Sequence, residues 1–291
     1  MKIRYYLLAL GAMFLMASCS EDKLDEKSIF PDETIVNPTP LDKWLEVNYQ
    51  QPYNIQLKYR FEYKESDTEK NLAPASYDKA VALAKLTKYL WIESYEELLG
   101  RDFIRKYCPK IMHFVGSYGY NDGSVTLGVA EGGMKITLYN VNNIDYKNPD
   151  IEFLNYWFFK TMHHEFAHIL HQTKPYPVEF NEVTAANYQS ESWVNLDEDE
   201  WLDLGFITDY ASREAREDFV EIIANYVTHD QAWWDAQLAK ASPDGKAAIE
   251  SKLDIVRDWL KTAWEIDIDK LREIVQRRSA NVTMLDLQTL D

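Results

Sequence analysis

Two histidines four residues apart with a glutamate between them, His164-Glu165-Phe166-Ala167-His168, are the residues of this chain best suited by type and spacing to do chemistry. On a helix, positions i and i+4 lie about 40° apart around the axis and one turn apart along it, so both imidazoles can reach one cation. Glu165 is rotated about 100° from His164, which sets it beside that cation as a base for bound water and not among its ligands. Zinc-dependent hydrolysis is the chemistry this pattern supports. The competing reading is a core helix that happens to carry some of the chain's six histidines.

A hydrolytic zinc takes three protein ligands and keeps one position for water, so a third donor must come from elsewhere. His171 lies on the same helix face, but a rise of about 10 Å separates it from His164, and both cannot ligate one ion. A histidine six residues beyond His168 is absent, because position 174 is lysine. The stretch from Tyr210 to Val227 offers a better donor. There Glu217, Glu221 and Asn225 recur at i, i+4 and i+8 on a helix otherwise made of Phe219, Val220, Ile222, Ile223 and Tyr226. Two acids on one stripe repel each other, and a cation between two helices removes that repulsion. Glu217 is then the third zinc ligand, and Glu221 accepts the remaining ring N–H of His164 or His168. A solvated acidic stripe is the alternative.

The elements that must hold these groups can be read from periodicity. Leu41 to Gln50 reads as a short helix stopped by Pro52, and Tyr53 to Tyr63 alternates apolar and polar residues as a half-buried strand does. A helix from Ser76 to Gly100 and a short one from Arg101 to Cys108 follow. Three β-rich runs, Ile111 to Tyr118, Ser124 to Ala130 and Met134 to Val141, are separated by Asn121-Asp122-Gly123 and Glu131-Gly132-Gly133, which are turn signals for hairpins or a meander. The motif helix runs from about Ile151 to Gln172 and is apolar nearly all round, so it should be buried between the sheet and later helices. Helices again fill Asp230 to Ala241 and Ser242 to Arg278. Their Trp233, Trp234, Trp259 and Trp264 fall at helical spacing, as core residues do. The fold class is α+β with a small antiparallel or mixed sheet, a motif helix, a second ligand-bearing helix and a helical carboxyl-terminal part from about residue 230. The acidic run Asp197-Glu198-Asp199-Glu200 lacks the glycine turn and alternate spacing of a calcium loop and reads as the first turn of a helix.

With 48 acidic against 31 basic residues the chain carries a formal charge of -17, which disfavours nucleic acid as a partner. Met1-Lys2-Ile3-Arg4 and the apolar run from Tyr5 to Ala17 form a leader too short to span a bilayer, so residues 1–18 read as a signal peptide. Met16-Ala17-Ser18-Cys19 resembles a bacterial lipobox, which implies a lipid on Cys19 and a membrane anchor. Residues 19–40, charged and bearing Pro31, Pro38 and Pro40, suit a tether, and residues 41–291 the folded domain. With Cys19 acylated, Cys108 has no disulfide partner.

The pair of motifs, His164-Glu165-Xaa-Xaa-His168 and Glu217-Xaa-Xaa-Xaa-Glu221 about fifty residues later, resembles the gluzincin branch of zinc peptidases. The interval from Tyr210 to Glu217 is similar to that of the lethal-factor-like subgroup. The resemblance implies a zincin-like domain, Glu217 as third ligand and the Tyr210 hydroxyl directed at the reacting carbonyl. With the lipobox and the acidic Ser20-Glu21-Asp22 that follows it, the chain resembles zinc metallohydrolase lipoproteins of the Bacteroidota associated with TonB-dependent nutrient import. That implies an outer-membrane, cell-surface location, a peptide or protein substrate and import proteins as partners. A non-enzymatic accessory lipoprotein with a structural zinc is the rival reading; a structural site has no use for Glu165. Amide or ester hydrolysis of another substrate would use the same residues.

Overall fold

Helix is the main material of the fold, and the sheet is small. The structure, a computed structural model, describes residues 37–290 apart from 63–65, 67–69, 122–123, 127 and 132–133. The leader 1–18, Cys19 and most of the tether 19–40 lie outside the described residues. Among those described, no helix is long and apolar enough to cross a membrane.

Helix α1 begins at Pro40 behind a capping box in which Thr39 and Asp42 bond each other's backbone N–H. It continues through a π turn, Glu46–Gln50, into Gln51–Tyr53. Pro52 therefore lies inside the helix and does not stop it; the amide it lacks falls just past a widened turn, where the ladder is already irregular. The chain then reverses at Asn54, in the left-handed region with φ 57°. Strand β1 is only Gln56–Lys58, not the eleven residues that alternation implied, because Tyr53 completes the last turn of α1.

Helix α2 comprises Tyr77–Thr87, a π turn Lys88–Ile92 and Glu93–Leu99, and ends at Gly100 with φ 82°. That conformation is one L side chains rarely adopt. Helix α3, Arg101–Tyr107, leads into β2, Ile111–Phe114. The remaining β-rich stretch forms four strands: β3 Gly119–Asn121, β4 Ser124–Thr126, β5 Gly128–Glu131 and β6 Lys135–Leu138. β3 and β4 pair as a separate antiparallel ribbon, and β5 and β6 as a hairpin. No meander results, because β6 returns beside β2 in parallel, with Ile111 opposite Lys135. The helical crossover α2–α3 likewise makes β1 and β2 parallel. The order β1-β2-β6-β5 is thus a mixed sheet with β5 at one edge.

The motif helix α4 is Ile151–Leu154, a π turn Asn155–Phe159 and Lys160–Thr173. It touches β5 and packs along α7, Ala215–Thr228. Two short helices, α5 Glu179–Val183 and α6 Glu200–Asp203, lie between them in sequence. Three helices end the chain: α8 Gln231–Lys240, α9 Pro243–Trp264 and α10 Ile268–Ser279. Trp234, Trp259 and Trp264 are buried, as helical spacing implied, while Trp233 is only partly buried against the core.

Candidate metal centre

Phe166 fixes the motif helix. It is fully buried, with its ring edge-on to Trp91 at 5.4 Å and to Tyr95 at 5.0 Å. Burial of such a ring contributes about 1.5–3 kcal/mol. His163, one position ahead of the motif, points into the same cluster, where its Nδ1 lies 2.9 Å from the Tyr95 hydroxyl. Burial lowers its pKa to about 3, so it is a neutral core residue.

With that face locked into the core, His164 and His168 turn toward α7. Their Nε2 atoms are 3.2 Å apart. Glu217 Oε2 lies 3.1 Å from His164 Nε2 and 3.3 Å from His168 Nε2. These three residues form the one potential metal-binding group of His, Cys, Asp and Glu among the described residues, their donor atoms all within 4.8 Å of one another. Two imidazoles and a carboxylate suit zinc, and a three-ligand set leaves room for water. The acidic run at 197–200 forms no such group; instead the Glu200 carboxylate accepts the Asp197 N–H at 3.0 Å, at the start of α6.

The outer ring nitrogens carry the partners expected if the Nε2 atoms hold a metal. His164 Nδ1 donates to Glu221 Oε1 at 2.8 Å. Glu221 is 2% exposed, and its Oε2 accepts from Thr208 Oγ1 at 2.8 Å and Asn225 Nδ2 at 3.1 Å, with Lys160 Nζ at 3.5 Å. Glu221 and Asn225 are buried and Glu217 is partly buried, so the stripe of α7 is not a solvated face. His168 Nδ1 lies 2.9 Å from His171 Nε2. With Nε2 of His168 at the ligand cluster, its Nδ1 carries the proton and donates to His171. His171 is thus outside the ligand group but bonded to a member of it.

The electrostatics follow from burial opposed by pairing. Burial works against a charged His164, but the hydrogen bonds it donates to Glu217 and Glu221 outweigh it and raise its pKa to about 9. Both carboxylates, although buried, are held well below the usual range, Glu217 by His164 and His168 and Glu221 by Lys160 and His164. Burial raises the Glu165 carboxyl against the pull of His164 and His168, so it is a stronger base than an exposed glutamate. Tyr210 lies in the short turn Tyr210–Ser212, its ring 6.0 Å from that of His164 and edge-on to Trp193 at 5.1 Å. Burial and the Glu217 charge push its hydroxyl up to about 12, so it stays a proton donor at neutral pH.

Behind the ligand helix is an ion pair that composition could not reveal. Lys252 Nζ meets Asp218 Oδ2 at 2.5 Å with neither side chain exposed. Tyr188 also donates to Asp218, at 2.8 Å, and Lys252 donates to the Gly205 carbonyl at 2.8 Å. Gly205, at φ 89°, has no room for a Cβ, which would sit 2.8 Å from Ala248 Cβ. The pair pins the residue after Glu217 to α9. Its only sequence signal was a lysine at a core position of α9.

A mixed α+β domain whose two facing helices bring together His164, His168 and Glu217, with Glu165 beside them in sequence, points to the zinc-peptidase class. The chain belongs to the family described as "Putative zinc-binding metallo-peptidase", whose model matches residues 34–269. It is also similar to a solved structure, a putative zinc-binding metallo-peptidase from Bacteroides caccae ATCC 43185, with 43% identity over 87% of this chain and 96% of that one and a TM-score of 0.77. No curated protein matches it.

Proposed function

We propose that this protein is a zinc-dependent peptidase in which His164, His168 and Glu217 hold the metal, Glu165 is the general base and Tyr210 the oxyanion donor. The convergence of three donors from two helices, beside a glutamate left outside the ligand group, carries the reading. Zinc, when bound, supplies a Lewis acid that polarises a carbonyl and acidifies water. Glu165, its basicity raised by burial, takes a proton from the attacking water and delivers it to the leaving amine. Tyr210, held protonated, donates a hydrogen bond to the oxygen on which charge develops. Glu221 and His171 hold the two ligand rings in orientation. Edge strand β5, beside the motif helix, gives an extended peptide a backbone to pair with.

In this reading the chain is exported and anchored through a lipid on Cys19, with the domain held off the outer membrane at the cell surface near nutrient-import proteins. The leader, the lipobox-like Met16-Ala17-Ser18-Cys19 and the charged tether support it. The test is a mixed-peptide digest by the zinc-loaded chain, with and without chelator, beside Glu165→Gln. Chelator-sensitive cleavage that Glu165→Gln abolishes while its zinc content stays at the wild-type level is expected; full activity in that variant would sink the assignment.

A further inference from the structure

A cavity of about 390 Å³ opens beside the metal centre, lined by His171, Pro175, Tyr176, Val178, Asn181 and Arg216 among others. It shares a wall with the ligand group at two points. His171 is hydrogen-bonded to His168, and Arg216 immediately precedes Glu217.

Three of its lining residues present polar groups without a partner among the described residues. Every other described arginine makes a hydrogen bond or ion pair, as Arg213 does with Glu191 and Arg257 with Asp269, whereas Arg216 makes neither among the described residues. Arg216 is solvent-exposed and lines the cavity, so its guanidinium is accessible to a ligand. Asn181 Oδ1 is buried with no hydrogen-bond donor. Leaving such an acceptor unpaired costs about 1–3 kcal/mol unless a water or a ligand in the cavity satisfies it. Tyr176, whose hydroxyl has no partner among the described residues, is held rigid with its ring stacked on Phe219 at 4.2 Å and 10°.

We propose that this cavity is a substrate subsite for a carboxylate-bearing residue of a peptide. The inference rests on the peptidase reading and adds a substrate class to it. Arg216 presents a planar fork of N–H donors that matches a carboxylate, and Tyr176 presents a further donor. Asn181 Oδ1 accepts a peptide N–H, and Pro175 and Val178 provide apolar contact for a side-chain stem. The carboxylate comes from an acidic side chain or from a peptide carboxyl terminus, and both have this chemistry.

Four small probes separate the cases by NMR titration of the zinc-loaded full chain. N-acetylglutamate α-amide keeps only the side-chain carboxylate, N-acetylglutamine only the terminal one, N-acetylglutamate both, and N-acetylglutamine amide neither. At least one carboxylate probe should bind about ten- to a hundredfold more tightly than the neutral one, and Arg216→Gln should erase that preference at unchanged zinc content. Equal binding of all four, or a preference that survives in Arg216→Gln, overturns the subsite; the latter outcome means the carboxylate sits on the metal. In hydrolysis of peptides differing only as Glu or Gln, Arg216→Gln should raise KM for the acidic one and leave kcat. If the wild type cleaves no peptide, the peptidase reading fails while the titrations still decide the subsite.

Discussion

His168 and His171 are joined ring to ring, Nδ1 to Nε2 at 2.9 Å, one turn apart on the motif helix. Burial lowers the pKa of His171 to about 4, which keeps it a neutral acceptor for the His168 proton. Tyr176, edge-on at 5.4 Å, fixes its ring. His171→Ala should therefore weaken zinc binding about 10- to 100-fold, as loss of a partner that orients a ligand does elsewhere. Competition with a chromophoric chelator measures it, and an unchanged zinc affinity would remove His171 from the metal centre.

The two acids that flank the start of α7 should behave oppositely. Glu217 faces both imidazoles, whereas Glu214 is exposed at the helix cap and bonds no ligand. Zinc content after dialysis should fall in Glu217→Ala and stay at the wild-type level in Glu214→Ala. The reverse result would move the third ligand.

Lys252 and Asp218 are fully buried, and burial pulls both toward their neutral forms, raising the Asp218 carboxyl to about 6 and lowering the Lys252 ammonium. Removing one partner strands the other charge. Lys252→Met should cost about 3–5 kcal/mol of stability, and the double variant Lys252→Met with Asp218→Leu should recover part of it. Urea unfolding of the zinc-loaded protein tests this; a single variant as stable as the wild type would show that the pair contributes little.

Metal-free protein should be pH-sensitive in a definite sense. The folded pKa of His164, about 9, lies above its unfolded value, so its contribution is complete below about pH 6.5 and is lost as pH rises through 9. Glu217 and Glu221 are depressed, so theirs is present above about pH 4.5 and is lost as pH falls through their folded values. The window between should be the most stable one for this cluster. Zinc affinity should climb with pH up to about 9, because the ligand must shed the His164 proton. Calorimetry in buffers of different ionisation enthalpy would count that proton; a pH-independent affinity contradicts the arrangement.

What could be read in advance was the part of the site that repeats along one helix. His164 with His168, and Glu217 with Glu221, sit at i and i+4, and helical geometry alone sends each pair to one side. Their meeting across α4 and α7 depended on resemblance and on the repulsion between two acids. Thr208, which bonds Glu221, comes from an irregular segment, and Asn181, which lines the neighbouring cavity, from the five-residue helix α5, and neither stretch is long enough in regular structure to show a period. The sheet shows the same limit. Turn signals located the β5–β6 hairpin, but the parallel pairing of β2 with β6 is a tertiary fact. Alternation over Tyr53 to Tyr63 was misleading because the last turn of α1 claims Tyr53.

The shortness of β1 bears on self-association. Its eleven-residue alternating neighbourhood, left as an open edge, would offer another copy a template for strand addition and aggregation. Only Gln56–Lys58 is strand, and Lys58 is tied to Glu62 at 2.9 Å. The edge opposite the motif helix thus ends in a charged pair after three residues. A foreign strand finds little there to extend, which protects the protein from edge-to-edge stacking.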